Sequence, residues 1–378
     1  MKVALVCDWY APRIGGLEMQ MRDLARELKA HGHEVEVITS TRGEPEIDGI
    51  RVHRLDGPLL PLYRVIYRAR SISALERLLL DGNYDVVHCH TAFSPLSQAA
   101  AYLAHKHRIP SVLTEHSVLA GAGGRLLAVA NRFYPWTHWP NVITAVSSYV
   151  AGEMERVSGR DVVVLPNGVK LDEWDAAAEP EPNAPLRITS VMRLYKRKRP
   201  IEVVRAMPRV YAKLPASLRP IFTLVGDGSE RKKVEREAER LGVRQHLEVL
   251  GWQPRSEVKK VLARSSVFIL PTCKEALSIA TLEALCAGVP AVAMSHGGVG
   301  DIIQHGREGF LAANEEEFAD YIVQLVTDAP MRARMAAATR KSAARFAWDP
   351  VLAQHLEVYR LAQDRCHRNA AEKSSVAA

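Results

Sequence analysis

The chain has 378 residues, enough for two or three domains, and its 47% hydrophobic and 25% charged side chains are a soluble globular balance. Lys and Arg total 50 against 43 Asp and Glu, a net charge of +7. That excess admits anionic partners without demanding nucleic acid. Met1–Asp8 turns polar too early for a signal peptide, no apolar run nears the roughly 20 residues of a membrane span, and 5 scattered cysteines without a C-x-x-C pair argue against disulfides and structural zinc. A cytoplasmic, reduced chain is expected.

Val3–Cys7 reads as a buried strand, after which Leu17, Met21, Leu24 and Leu28 fall on one face of a helix. His31-Gly32-His33 closes that helix, since glycine tolerates left-handed cap geometry. Strand patterns return at Val35–Thr39, Arg51–Leu55, Val86–His90, Ser111–His116, Val142–Ser147 and Val162–Pro166. Near-continuous apolar strands alternating with helices predict a parallel sheet covered on both faces. The Ala-, Pro- and Glu-rich stretch within 173–186 then reads as a linker. Beyond it the alternation restarts, with strands at Arg187–Met192, Phe222–Val225, Leu247–Leu250, Val267–Leu270, Ala291–Met294 and Gly309–Ala312. Two α/β domains, 1–172 and 187–348, are expected, with ligand bound in a cleft at their strand ends. Residues 369–378 read as a disordered tail.

Four segments could carry chemistry. Gly15-Gly16 follows the first strand and opens a helix, either a tight turn or a close approach to an anion. The run Arg193 to Arg199 follows the first strand of the second domain. There Arg193 and Lys198 suit diphosphate oxygens, whereas Lys196, Arg197 and Arg199 read as a solvated charge run. Glu275 and Glu283 are placed on one helix, about 80° apart at about 100° per residue. They read either as ligand-binding carboxylates or as a helix-start stabiliser and a surface charge, while Leu277, Ser278 and Ile279 would supply free amides. His116 follows a first-domain strand, as a hydrogen-bond partner, a proton acceptor or a structural histidine. His88-Cys89-His90 suggests metal only superficially, because successive strand side chains point to opposite faces.

In order and spacing these motifs resemble glycosyltransferase family 4, retaining enzymes of the GT-B fold. The resemblance runs from Asp8–Glu18 through Glu115-His116-Ser117, Pro166-Asn167-Gly168-Val169, Arg193 with Lys198, Val225–Gly228 and Glu275 with Glu283 to Gly297-Gly298 and Gly306–Leu311. It implies transfer of a sugar from a nucleotide donor, UDP-sugar before GDP-sugar, to a lipid or glycan hydroxyl. Arg193 and Lys198 would hold the diphosphate with the Gly15 and Gly16 amides, Glu275 the donor sugar, Glu283 the ribose, and His116 the reacting centre. Front-face displacement without metal would retain configuration, a donor phosphate oxygen taking the acceptor's proton. A last helix over 349–368 would cross back to the first domain. Met192, Ser278 and Val299-Gly300-Asp301 depart from the family's Gly, Gly and Ile-Pro-Glu.

The resemblance is strongest to the branch that transfers N-acetylglucosamine to phosphatidylinositol. Residues 58–80, with Arg64, Arg68, Arg70 and Arg77 against Glu76 among apolar residues, read as a basic amphipathic stretch for an anionic membrane surface or as packed core. Phe133–Trp136 and Trp139 add interfacial aromatics. Peripheral association with the inner membrane face is the corresponding expectation. The alternatives are a sugar-nucleotide epimerase of the same fold and a non-catalytic scaffold. A nicotinamide oxidoreductase would need a Gly-rich dinucleotide turn that the chain does not carry.

Overall fold

The computed structural model describes the backbone of residues 1–56, 59–60, 65–66, 69–119, 121–174 and 185–377. It divides into two units, Met1–Gly168 with Trp348–Ala378, and Val169–Ala347.

The first unit contains strands β1 (Lys2–Val6), β2 (Glu34–Thr39), β3 (Glu46–Ile47), β4 (Ile50–Arg54), β5 (Leu59–Leu60), β6 (Val65–Ile66), β7 (Val86–His90), β8 (Ser111–Glu115), β9 (Val142–Ala145) and β10 (Val163–Val164). All but β5 and β6 form one sheet, in the order β10-β9-β8-β7-β1-β2-β4-β3. Every pair is parallel except β3 with β4. Helices α1 (Gly16–Ala30), α2 (Ala69–Asp81), α3 (Pro95–His107), α4 (Ala122–Phe133) and α5 (Ser148–Ser158) connect them. Met21, Leu24 and Leu28 of α1 pack with Val3, Leu5 and Val37 of the sheet, which is why the 4-3-4 spacing reads so clearly. A buried side chain of this size contributes about 1.5–3 kcal/mol.

The second unit contains β11 (Arg187–Val191), β12 (Ile221–Val225), β13 (Leu247–Gly251), β14 (Val267–Leu270), β15 (Ala291–Met294) and β16 (Gly309–Ala312). Between and after them run α6 (Pro200–Ala212), α7 (Arg231–Arg240), α8 (Arg255–Ala263), α9 (Ile279–Cys286), α10 (Glu315–Thr327) and α11 (Ala329–Ala343). The sheet order β13-β12-β11-β14-β15-β16 is wholly parallel and reverses direction between β11 and β14. Such a switch point is where open α/β sheets place their ligands.

The chain leaves the first unit after Gly168 and re-enters it at Trp348, the start of α12 (Trp348–Ala377). Val351, Leu352 and Tyr359 of α12 join the first unit's core. The division thus lies at Val169, earlier than the linker over 173–186 that composition suggests. Trp174 is buried in the second unit beneath Arg255 and Lys259, 5.6 and 5.5 Å from its ring. Residues 175–184 of that linker lie outside the described residues. Residues 369–377, expected as a disordered tail, continue α12, in keeping with the helix propensity of Ala, Glu and Lys.

Candidate active site

At the carboxyl edge of the first sheet two buried carboxylates organise the loops. Asp8, just past β1, accepts from Ser40 Oγ and Ser94 Oγ at 2.7 Å each and from the Leu96 N–H at 2.9 Å. It thereby ties β1 to the start of α3. Glu115, the last residue of β8, accepts from Thr91 Oγ1, the Ala92 N–H and the Ser117 N–H at 2.8, 2.8 and 2.7 Å. Burial pushes its pKa up to about 7, and those donors oppose the rise. Thr91 is held in the left-handed region at φ 62, a conformation uncommon for a β-branched residue.

His116 follows Glu115, and its Nε2 lies 3.0 Å from Nδ1 of His90. His88, two residues before His90 on β7, lies beside it with ring centroids 4.1 Å apart and the rings tilted by 31°. Its Nδ1 meets Tyr359 Oη at 2.9 Å and its Nε2 meets Thr114 Oγ1 at 2.6 Å. His355 of α12 lies 6.0 Å from His88, ring to ring. Burial keeps all four rings neutral, holding His116 at about 3 and His355 at about 4, with His88 and His90 well below the ordinary histidine value. The cluster lines a cavity of about 20 Å³ together with Gln20, Asn167 and Trp348. No group of three His, Cys, Asp or Glu side chains among the described residues is arranged to hold a metal ion.

Gly15 precedes α1 in an extended conformation. A Cβ there would lie 2.2 Å from Oε2 of Glu18, whose carboxylate is held by Arg13 at 2.8 Å. The start of α1 therefore already faces a carboxylate of its own chain.

In the second unit, Arg193 follows β11 and Glu275 follows β14, on the two sides of the switch point. The Lys196–Lys198 turn rests against the segment after β14: Thr272 Oγ1 donates to the Lys198 carbonyl at 3.2 Å, and Arg197 Nη1 to the Lys274 carbonyl at 3.3 Å. This brings Lys198 Nζ to 2.5 Å from Glu275 Oε2, with side-chain exposures of 16% and 11%. Burial lowers the Lys198 pKa, and the Glu275 charge works against that. Arg193 is exposed, and its guanidinium has no hydrogen bond or ion pair among the described residues. The loop bearing it lies against Gly226, where at φ +132 a Cβ would sit 1.9 Å from the Met192 carbonyl oxygen.

Glu275 is not helical, which corrects the 80° geometry drawn from the sequence. Helix α9 begins at Ile279, and Ser278 caps it at φ 71, its Oγ accepting from the Thr281 N–H at 3.3 Å. Leu277 lies before the cap, leaving Ile279 and Ala280 as the first-turn donors ahead of the Leu282-to-Ser278 bond. The Glu275 backbone is fixed instead by the Gly298 N–H, which donates to its carbonyl at 2.8 Å. Glu283 does lie on α9 and is buried rather than a surface carboxylate. Its Oε1 sits 3.3 Å from Arg255, which lies 3.7 Å from Glu173.

Residues 14–173 match the family described as Glycosyltransferase Family 4, and residues 173–342 match Glycosyl transferases group 1. A D-inositol 3-phosphate glycosyltransferase of Xylanimonas cellulosilytica is 30% identical over 93% of this chain and 93% of that protein. The chain belongs to glycosyltransferase family 4. The phosphatidylinositol N-acetylglucosaminyltransferase gpi3 subunit of Schizosaccharomyces pombe is 24% identical, covering 86% of this chain and 72% of that protein. Among solved structures, Anabaena HepE in complex with UDP and glucose aligns with a TM-score of 0.75 at 19% identity, over 95% of this chain and 99% of that one. The glycosyltransferase has the GT-B fold, two Rossmann-like parallel-sheet domains.

Of the residues read from sequence, the glycosyltransferase brings Lys198 and Glu275 into contact, sets Arg193 across the same switch point, and anchors Glu283 on Arg255. It places Gly15, Gly16 and His116 in the other unit. Sequence reading missed Glu173, Trp174 and Arg255 around Glu283, and His90, His355 and Tyr359 around His116. Each lies far along the chain from the residue it supports. Only the His88-x-His90 repeat hinted at one of them, and it suggested metal. Of the basic stretch 58–80, Arg64 and Arg68 lie outside the described residues, and Glu76 pairs with Lys106 at 2.8 Å. No helix among the described residues is long and apolar enough to cross a membrane.

Proposed function

We propose that the chain is a retaining transferase that moves a hexosyl or N-acetylhexosaminyl group from a UDP-sugar to a hydroxyl of a lipid or glycan. The observation that carries this reading is the cation pair at the switch point of the second sheet. Arg193 is unpaired among the described residues, and Lys198 is poised on Glu275. A diphosphate there draws on both cations for leaving-group charge, so the reaction needs no metal. Glu275, released from Lys198, takes donor-sugar hydroxyls, and Glu283, oriented by Arg255, takes the ribose. The Ile279 and Ala280 N–H groups at the start of α9 add donors for phosphate oxygens. His116, at the strand edge of the first unit, is the candidate for accepting a hydrogen bond from a substrate hydroxyl. Attack on the face that the diphosphate leaves retains configuration, a donor phosphate oxygen taking the acceptor's proton. UDP is supported by the UDP-bound structural relative, and an inositol-bearing acceptor by the two inositol-directed relatives. A thermal-shift panel of UDP-, GDP- and ADP-sugars tests the donor, since a bound ligand raises the melting temperature by mass action. Incubation with inositol phosphate and phosphatidylinositol then tests the acceptor. Free isomerised sugar without acceptor product would instead identify an epimerase.

The same reading places the chain at an anionic membrane surface. Leu126, Val129 and Phe133 form one stripe of α4 and are 70%, 57% and 76% exposed, with Tyr134 at 71%. Arg125 and Arg132 flank them, and α4 carries no acidic residue. An apolar stripe edged by arginines suits the headgroup boundary of an anionic bilayer. Flotation with phosphatidylserine vesicles should recover the wild type, with loss on Phe133→Ser and on high salt. Equal recovery with neutral vesicles would refute the electrostatic account.

A further inference from the structure

His116 is bonded to the protein through one ring nitrogen, Nε2, which meets His90 Nδ1 at 3.0 Å. Its Nδ1 has no partner among the described residues, and the residue is partly exposed. A neutral imidazole carries one N–H, so the two rings are coupled. If His116 Nε2 holds the hydrogen, His90 Nδ1 is bare and His90 Nε2 holds one. If His90 Nδ1 holds it, both assignments reverse, and His116 turns an N–H outward.

The far side of His90 bears on that choice. His90 Nε2 and Trp348 Nε1 are both buried without a hydrogen-bond partner among the described residues. Both residues line the cavity of about 20 Å³ beside α12, and about 10–15 Å³ is enough for one water. The indole N–H is a donor only. The nearby Gln20 Nε2 donates to the Gly168 carbonyl at 3.0 Å, which leaves its second N–H and its carbonyl oxygen, the latter able to accept from a water. A single water in this small cavity could accept from the indole N–H and from an Nε2–H of His90, and in turn donate to an amide oxygen.

We propose that His90 is a positioning residue for His116. Its Nε2–H is held by a water in this cavity, its Nδ1 accepts from His116 Nε2–H, and His116 is thereby fixed with a bare Nδ1 outward, ready to accept from a ligand hydroxyl. The ligand's identity as a sugar rests on the proposed function; the ring states do not. Burial supports the assignment by keeping both rings neutral.

Long-range proton–nitrogen NMR of the imidazoles tests this on the unliganded protein. The expected result is a single His116 tautomer with Nδ1 bare and His90 protonated at Nε2. His90→Phe, which keeps a ring but no nitrogen, should give a tautomer mixture at His116, and Trp348→Phe a smaller change. A His116 protonated at Nδ1 in the wild type, or one unchanged in His90→Phe, overturns the proposal. With a UDP-sugar and a working acceptor, kcat of His90→Phe should fall about 10- to 100-fold, as for supporting residues around a reactive group, with KM for the donor unchanged. His90→Asn should recover part of that loss. If no transfer is found with any donor, the proposed function fails and the NMR result still decides the ring assignment.

Discussion

Lys198 Nζ and Glu275 Oε2 lie 2.5 Å apart across the switch point of the second sheet. Each is the other's main countercharge, so a nucleotide diphosphate meets a site whose cation is already engaged. Under the proposed function, donor binding would be an exchange of partners, the ammonium turning to phosphate and the carboxylate to sugar hydroxyls.

This exchange separates stability from activity. Lys198→Met and Glu275→Gln should each destabilise the fold by about 1–3 kcal/mol, because each leaves a mostly buried partner unmatched. The double variant should be more stable than the sum of the two losses. All three should lose UDP-sugar-induced thermal stabilisation. Urea unfolding and thermal shift measure the two effects, and additive losses would show that the residues act independently.

Ser278 offers a contrast between strain and capping. Its φ of 71 costs about 1–2 kcal/mol for a residue with a Cβ, while its Oγ caps the Thr281 N–H. Ser278→Ala keeps the strain and loses the cap, so it should lose about 1 kcal/mol. Ser278→Gly loses the cap and relieves the strain, so it should be close to neutral. Equal denaturation midpoints for the two variants would count against the left-handed cap.

Acid should loosen the first unit. Histidines that are neutral when folded give stability that is full above pH 6.5. That stability is lost as pH falls toward about 4 for His355 and about 3 for His116. Glu115, raised to about 7, acts in the opposite sense, its contribution declining as pH rises from about 4.5 to 7. Four rings outweigh one carboxyl, so the melting temperature should drop from pH 6.5 to 4. Replacing His355 by Phe should flatten that slope, and an unchanged slope would rule out its share.

Gly226 supports Arg193 at a distance. A methyl group there meets the Met192 carbonyl oxygen at 1.9 Å, so Gly226→Ala must shift the loop that presents Arg193. We expect a loss of about 1–3 kcal/mol together with weakened UDP-sugar binding. Calorimetric titration showing wild-type affinity would separate the loop from the donor site.

The strands were legible because both sheets are parallel and covered, which leaves unbroken apolar runs such as Val86–Val87 and Val267–Leu270. Of the two-residue strands, β10 lies in the apolar run Val162–Pro166, whereas β3, β5 and β6 are too short to show a period. Glu275 was misplaced onto a helix because helical spacing continues backward through Ala276 and Leu277, and only the left-handed backbone at Ser278 ends it. The Ser278-x-x-Thr281 spacing would have signalled the cap. The supports of Glu283 and His116 come from elements distant in the chain, Glu173 and Arg255 in one case and α12 in the other. No local pattern announces a pairing of that kind.

The two points where the chain passes between units are joined. The Val169 N–H donates to the Phe346 carbonyl at 2.8 Å, and Val169 pairs with Ala347. On the other side, the Trp348 indole fills the space that a Cβ on Gly168 would occupy, 2.5 Å away. The second unit is in effect a cassette spliced into the first through neighbouring ends. Excising residues 169–347 and closing Gly168 to Trp348 with a few glycines should yield a small protein that folds alone and keeps its histidine cluster. The removed cassette, expressed separately, would carry the Lys198–Glu275 pair into nucleotide titrations unaccompanied.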